Sequence, residues 1–183
     1  MTGLPLEAIF RLAWPDLAPE TARAYRDEYR VLYEREAIPA TRLSRGARPT
    51  LHAFHEAGLL QATVTGKRAA DCERILRGLR IRHEIDVYLG GDSVSLPKPA
   101  PDLALAAIAR LGVSPAESVV IGDAPADIGM GRAAGARTIQ ITWGWARTRL
   151  EGADLVVRTW PELRRTVFGL ADAGTPAQGA TRA

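Results

Sequence analysis

Between residues 50 and 160 the sequence alternates short apolar runs with longer amphipathic stretches, punctuated by Gly, Pro and Asp. That rhythm constrains the fold more than any other feature. Strands separated by helix-length crossovers pair in parallel, and a parallel sheet needs helices over both faces. The pattern predicts strands at 60–64, 86–89, 118–121, 137–142 and 154–157. Helices are expected at 48–57, 67–79, 100–111, 126–134 and 160–170, with Gly58 and Gly112 ending two of them. Upstream, residues 4–14 and 19–37 read as helices. Pro19-Glu20 opens the second in first-turn style. Its Tyr25, Tyr29, Leu32, Tyr33 and Ala37 form a stripe at helical spacing that is expected to be core. The stretch Ile38 to Pro49 reads as a linker, and residues 171–183 as a disordered tail. No internal repeat is visible.

A chain of 183 residues holds one full domain, or one with an appendage. With 46% hydrophobic and 25% charged residues it has the balance of a soluble globular protein with a sizeable core. The net charge of +3 suits anionic ligands, but the arginines are scattered along helices and aromatics make up only 6%. That argues for a solvated surface rather than a nucleic-acid patch. The single cysteine, Cys72, excludes an internal disulfide framework and reads as inert. No basic-then-apolar leader opens the chain and no apolar run approaches a membrane span, so no membrane partner and a cytoplasmic location are expected.

Only two lysines occur, Lys67 and Lys98, against 22 arginines among the 24 basic residues. A Lys kept in an Arg-writing sequence suggests a site that needs a compact ammonium on a flexible stem. Lys98 opens Lys98-Pro99-Ala100-Pro101-Asp102, where the following Pro favours an extended path into a helix. Thr65-Gly66 ends a strand, offering a hydroxyl and unhindered N–H groups to phosphoryl oxygens; simple capping by Thr65 is the structural alternative. Gly122-Asp123-Ala124-Pro125-Ala126-Asp127 follows a buried strand. Its two carboxylates, four residues apart, could share a hard cation such as Mg²⁺, or could serve as a helix cap and a first-turn dipole partner. All three segments fall at the carboxyl ends of strands, where ligands gather in such sheets. Together they read as a phosphoryl-handling site. Lys67 stands beside it, with an exposed helix-start residue as the equal alternative.

Three other patterns fail. Gly66-Lys67 is no P-loop, because Gln61 stands where the first glycine belongs. Gly129 to Gly135 has one residue too many for a dinucleotide fingerprint, and its glycines suit close helix–sheet packing instead. His52, His55 and His83 have neither metal-ligand nor triad spacing and read as surface residues.

Thr65 at a strand end, Lys98-Pro99-x-Pro101-Asp102, and Gly122-Asp123-x-x-x-Asp127 followed by Gly131-Arg132-Ala133-Ala134-Gly135-Ala136 resemble the second to fourth motifs of the haloacid dehalogenase-like hydrolases. Thr142-Trp143-Gly144 adds to a likeness with the phosphoglycolate phosphatase-like branch, over about residues 3–168. The resemblance implies a Rossmann-like α/β core with an inserted helical cap, Mg²⁺ as cofactor and a phosphoaspartyl intermediate. Thr65 and Gly66 would bind the transferring phosphoryl, Lys98 would neutralise phosphate and nucleophile, and Asp123 and Asp127 would hold the metal. The domains are then a partial cap over 1–42, a core over 43–170, and the tail.

The sequence departs from the family at its first motif, Asp-x-Asp-Gly-Thr, which supplies nucleophile and general acid. No two aspartates here are spaced Asp-x-Asp. The chain is therefore expected to begin partway through the cap, without the strand that lies centrally in the family's sheet. That would leave the strands ending at Val64 and Ile121 each with an unpaired edge. The leading reading is a phosphatase for a small phosphorylated metabolite. The alternative is an inactive relative that binds Mg²⁺ or an anionic partner without turnover.

Overall fold

The computed structural model describes residues 6–174. The notional tail beyond Gly174 and the first residues of the predicted opening helix lie outside them. The chain begins with α1 (Leu6–Ala13) and α2 (Pro19–Leu32), which runs into a π-helical turn, Tyr33–Ala37, and the short α3, Ile38–Ala40. The expected linker thus shrinks to 41–46. Then come α4 (Ala47–Glu56), β1 (Ala62–Val64), α5 (Ala69–Gly78), β2 (Val87–Leu89), α6 (Asp102–Leu111), β3 (Val119–Gly122), α7 (Pro125–Ala133), β4 (Arg137–Ile141), β5 (Leu155–Val157) and α8 (Trp160–Gly174). The last helix extends into the segment expected to be tail.

Every strand pairing is parallel, but the strands form two sheets. β1 pairs with β2, Val64 opposite Leu89. β3, β4 and β5 pair in that order, with Val120 opposite Thr138 and Ile139 opposite Leu155. One core cluster joins the two sheets from a single side: Leu89 of β2, Leu103, Ala104 and Ala107 of α6, and Met130 of α7, with Val64 and Val120 packed on it. Side chains alternate across a strand. Accordingly Val119 and Ile139 point the other way, into a cluster with Val157, Leu163 and Trp160 under α8. A third cluster, Cys72, Leu76, Ile81 and Ile85, sits between α5 and β2 with Leu51 of α4 against it. α4 reaches α8 through an edge-on Phe54–Phe168 pair, 5.5 Å between ring centres. The helices therefore cover both faces.

The aromatic stripe of α2 is not core. No residue of α2 is buried, and Tyr25 and Tyr29 are each 47% exposed. Its periodicity is genuine, but it packs thinly, with Phe10 of α1 edge-on against Tyr25 and the Lys67 ammonium over Tyr33. Two helices alone make too thin a layer to exclude water. This amino-terminal helical segment meets the rest of the chain through charge, with Glu34 paired to Arg68 and Arg74 of the loop and helix after β1. Cys72 is buried, as befits an inert thiol, and burial raises its pKa. Among the described residues no helix is long and apolar enough to cross a membrane.

Candidate active site

The carboxyl end of β3 turns sharply at Gly122. A β-carbon there would collide with Asp127, so the glycine is what lets the Asp127 side chain fold back beneath the loop. Asp127 Oδ2 then accepts the backbone N–H groups of Asp123 and Ala124, at 3.3 and 3.2 Å. Its Oδ1 accepts from Lys98 Nζ at 2.8 Å. Lys98 also donates to the carbonyl of Val64, the last residue of β1, at 3.1 Å. The Lys98–Pro99 peptide is cis, and the Lys98 side chain is 12% exposed. One ammonium thus ties the end of β1 to the loop after β3.

Thr65 follows directly on Val64. Its N–H continues the ladder to Leu89 O, and its hydroxyl accepts from Lys67 N–H at 3.3 Å. α5 begins four residues later with Arg68 as its N-cap, so Thr65 does not cap that helix. A β-carbon at Gly66 would meet nothing within 4 Å. The fold does not require that glycine, and the space above Gly66 is open to a ligand.

Asp123 differs from Asp127. Its Oδ2 accepts the Trp145 N–H at 2.6 Å, and its backbone carbonyl accepts from Ala146. A β-carbon on Gly144 would run into the Asp123 carboxylate, so this glycine too is demanded by a close approach. Among the described residues Asp123 Oδ1 has no hydrogen-bond partner. The loop carrying Gly144 and Trp145 was not assigned a role from the sequence. The signal available was Gly144 following the next strand. Behind it stands Gln140, fully buried, which donates to Thr148 O and accepts from Leu150 N–H, both at 2.7 Å.

The residues predicted to form a site therefore divide as follows. Lys98, Asp123 and Asp127 are joined by hydrogen bonds, and Thr65 and Gly66 adjoin the carbonyl that Lys98 holds. Asp92, also on this side, is already used: its Oδ1 caps α5 at Ala69 N, 2.8 Å away. His52 and His83 are surface residues, as expected, yet both reach one oxygen of the buried Glu84, at 3.1 and 3.2 Å. Among the described residues no group of three His, Cys, Asp or Glu is arranged to hold a metal by itself. The acidic loop instead suits a cation that takes one or two carboxylates and completes its shell with water and substrate oxygens, the habit of Mg²⁺. Asp123 has an oxygen to give, whereas both oxygens of Asp127 are engaged.

The parallel α/β core carries an ammonium and an acidic loop at its strand ends, the arrangement that the motifs read from the sequence imply. Residues 1–141 match the family model of haloacid dehalogenase-like hydrolases, and the chain belongs to that family. It is 31% identical over 168 residues to the probable phosphatase IndB of Dickeya dadantii, spanning 88% of this chain and 73% of that protein. It is 33% identical over 128 residues to the phosphoglycolate phosphatase of Salmonella typhi, spanning 70% of this chain and 51% of the relative. The chain thus spans about half the length of that phosphoglycolate phosphatase. Among solved structures it superposes on CbbY of Rhodobacter sphaeroides in complex with xylulose-1,5-bisphosphate, with a TM-score of 0.69 and 28% identity. That match covers 81% of this chain and 68% of the other.

Proposed function

We propose that this protein is a Mg²⁺-dependent phosphatase of cytoplasmic small phosphomonoesters, of the phosphoglycolate kind. The observation that carries the reading is the position of Lys98, held at once by the end of β1 and by Asp127. It lets one ammonium face both the Thr65-Gly66 backbone and the acidic loop. In this reading the N–H groups beyond Thr65 and the Thr65 hydroxyl take the oxygens of the transferring phosphoryl. Lys98 offsets charge on the phosphate and on a carboxylate nucleophile. Asp123 would hold Mg²⁺ through its free oxygen, while Asp127 fixes the loop and adds its charge. When bound, the ion would neutralise phosphoryl oxygens and lower the cost of bringing an anionic nucleophile to an anionic ester. None of the aspartates at this edge stands in the nucleophile's place in the matched motifs.

Calorimetric titration with Mg²⁺ in the presence of inorganic phosphate tests the assignment. Wild type should bind weakly, because most of the ion's shell is left to water and phosphate. Asp123→Asn should bind at least several-fold more weakly still. Equal affinity in the two proteins would overturn the metal assignment.

A further inference from the structure

Two of the four tryptophans in this chain stand together on the α8 side of the sheet, lining a cleft that the candidate active site does not use. Trp143 follows β4 and Trp160 opens α8. Their ring centres are 5.0 Å apart, with the planes tilted by 49°. The cleft measures about 500 Å³ and opens to solvent. Ser44, Arg45 and Gly46, just before α4, and Arg158, just after β5, complete its wall.

The fold holds Trp160 in place from below. Its indole N–H donates to Ser44 Oγ at 3.1 Å. Gly46 has a φ of +100°, and a β-carbon there would run into the Trp160 ring. Glycine alone meets both demands. With its N–H satisfied inside the protein, the ring offers the cleft an apolar π face.

The charges at the rim are uncompensated. Arg45 and Arg158 are exposed, and among the described residues no carboxylate pairs with either guanidinium. Glu162, close to Arg158 in the chain, is spent on the backbone: its Oε2 accepts the Arg158 main-chain N–H at 2.7 Å. Arg68, Arg74 and Arg77, by contrast, each hold a carboxylate. A tryptophan face takes a flat ring whatever its substituents. An arginine fork matches a phosphate with parallel hydrogen bonds. The volume is that of a small-ligand site. An aliphatic chain would cover the indoles and leave the guanidiniums unmatched, and a bare phosphate would do the reverse.

We propose that this cleft binds a nucleoside phosphate, its base against Trp143 and Trp160 and its phosphate on Arg45 and Arg158. The site shares no residue with Thr65, Gly66, Lys98, Asp123 or Asp127. Gly144 and Trp145, which pack on and bond to Asp123, nevertheless follow Trp143 directly in the chain. The ligand therefore lies one residue from the loop that positions that carboxylate.

The test is an NMR titration of the 183-residue chain without Mg²⁺, following the indole N–H signals assigned with Trp143→Phe and Trp160→Phe. The probes are AMP, adenosine and inorganic phosphate. AMP should shift the Trp143 and Trp160 signals and bind about tenfold more tightly than adenosine, the scale of one charge-assisted contact. Inorganic phosphate should leave those two signals unmoved. In the double variant Arg45→Gln, Arg158→Gln, AMP should bind no better than adenosine. Equal AMP affinity in wild type and the double variant overturns the proposal, as does the absence of any shift at millimolar AMP. Shifts confined to Gly122–Asp127 would put AMP at the acidic loop alone and overturn it too. Two other outcomes also sink it by naming a different occupant. Broadening of the two indole signals with protein concentration alone would assign the cleft to a second copy of the chain. Shifts caused by an acidic, phenylalanine-bearing peptide and not by AMP would assign it to a protein partner.

Discussion

Single residues at this site are held by their neighbours' backbones more than by other side chains, and that makes their roles separable. Asp127 takes two N–H groups and one ammonium, so it acts as the keystone of the loop. Asp123 takes one N–H from the far side and keeps an oxygen free. Gln140 sits one step behind, pinning the loop that delivers Trp145 N–H to Asp123. Replacing it by Leu keeps the side chain's volume but strands the Thr148 carbonyl and the Leu150 N–H, which water at the loop surface only partly recovers. We expect Gln140→Leu to cost about 1–2 kcal/mol of stability, the scale of two such bonds, and to weaken Mg²⁺ binding although it touches no ligand. Urea denaturation beside a Mg²⁺ titration checks both. Full stability with full affinity would remove Gln140 from the account. At this scale the sequence was most legible for Lys98, Asp123 and Asp127, because residue type and spacing already limit what they can do. It was silent on Trp145 and Gln140 and offered Gly144 only as part of a family likeness, because their importance comes from a fold-back that no local pattern encodes.

Elements were legible where periodicity was strong and blurred where single hydrogen bonds decide the outcome. All five strands and the helices of the core fall within a few residues of their predicted places. The turns Arg82–Glu84, Gly91–Ser93 and Pro115–Glu117 were missed because three residues carry too little pattern. The connection from β4 to β5 is one place where a side chain does the work of a ladder. Asp154 Oδ2 accepts both the N–H and the hydroxyl of Thr138 at 2.7 Å, locking β5 beside β4. The Thr138 hydroxyl, then its N–H, holds the Asp154 carboxyl below the ordinary carboxylate range. A group whose folded pKa is depressed contributes stability that is present above its unfolded value, near 3.9, and is lost as pH falls through the folded value. Asp154→Asn should therefore be less stable than wild type at pH 7, with the gap narrowing as pH falls below about 4. Urea midpoints for both proteins across that range would show it. A gap independent of pH would mean that the side chain acts by shape and not by charge.

On the scale of the whole molecule, the arrangement of layers was legible and so was the break in the sheet, because the sequence left the strands ending at Val64 and Ile121 each with an unpaired edge. β1 pairs with β2 and β3 with β4, and among the described residues the other edges of β1 and β3 carry no ladder. The α6–α7 side of the core and the Lys98 ammonium hold the two sheets together. Ile121, at the end of the edge strand β3, is 39% exposed. This bears directly on catalysis. Phosphoryl transfer in this family's chemistry needs a carboxylate in line with the phosphorus and a second acid for the leaving alkoxide. Asp127 has both oxygens bonded, Asp123 has one oxygen bonded to the Trp145 N–H and in the proposed site gives the other to Mg²⁺, and Asp92 caps α5. Asp102 lies in the first turn of α6, in a motif position that is not the nucleophile's. What the proposed site offers is electrostatic stabilisation by Lys98 and, when bound, Mg²⁺, which without a bond-forming partner leaves the rate many powers of ten below that of a site with a nucleophile. We therefore expect the 183-residue chain to bind Mg²⁺ and phosphate but to show no turnover. The decisive assay is Mg²⁺-dependent hydrolysis of a generic phosphomonoester by the purified chain, run beside Lys98→Ala to expose contaminants. Turnover by the chain alone that disappears in Lys98→Ala would mean that one of the aspartates assigned here to metal or structure is the nucleophile after all.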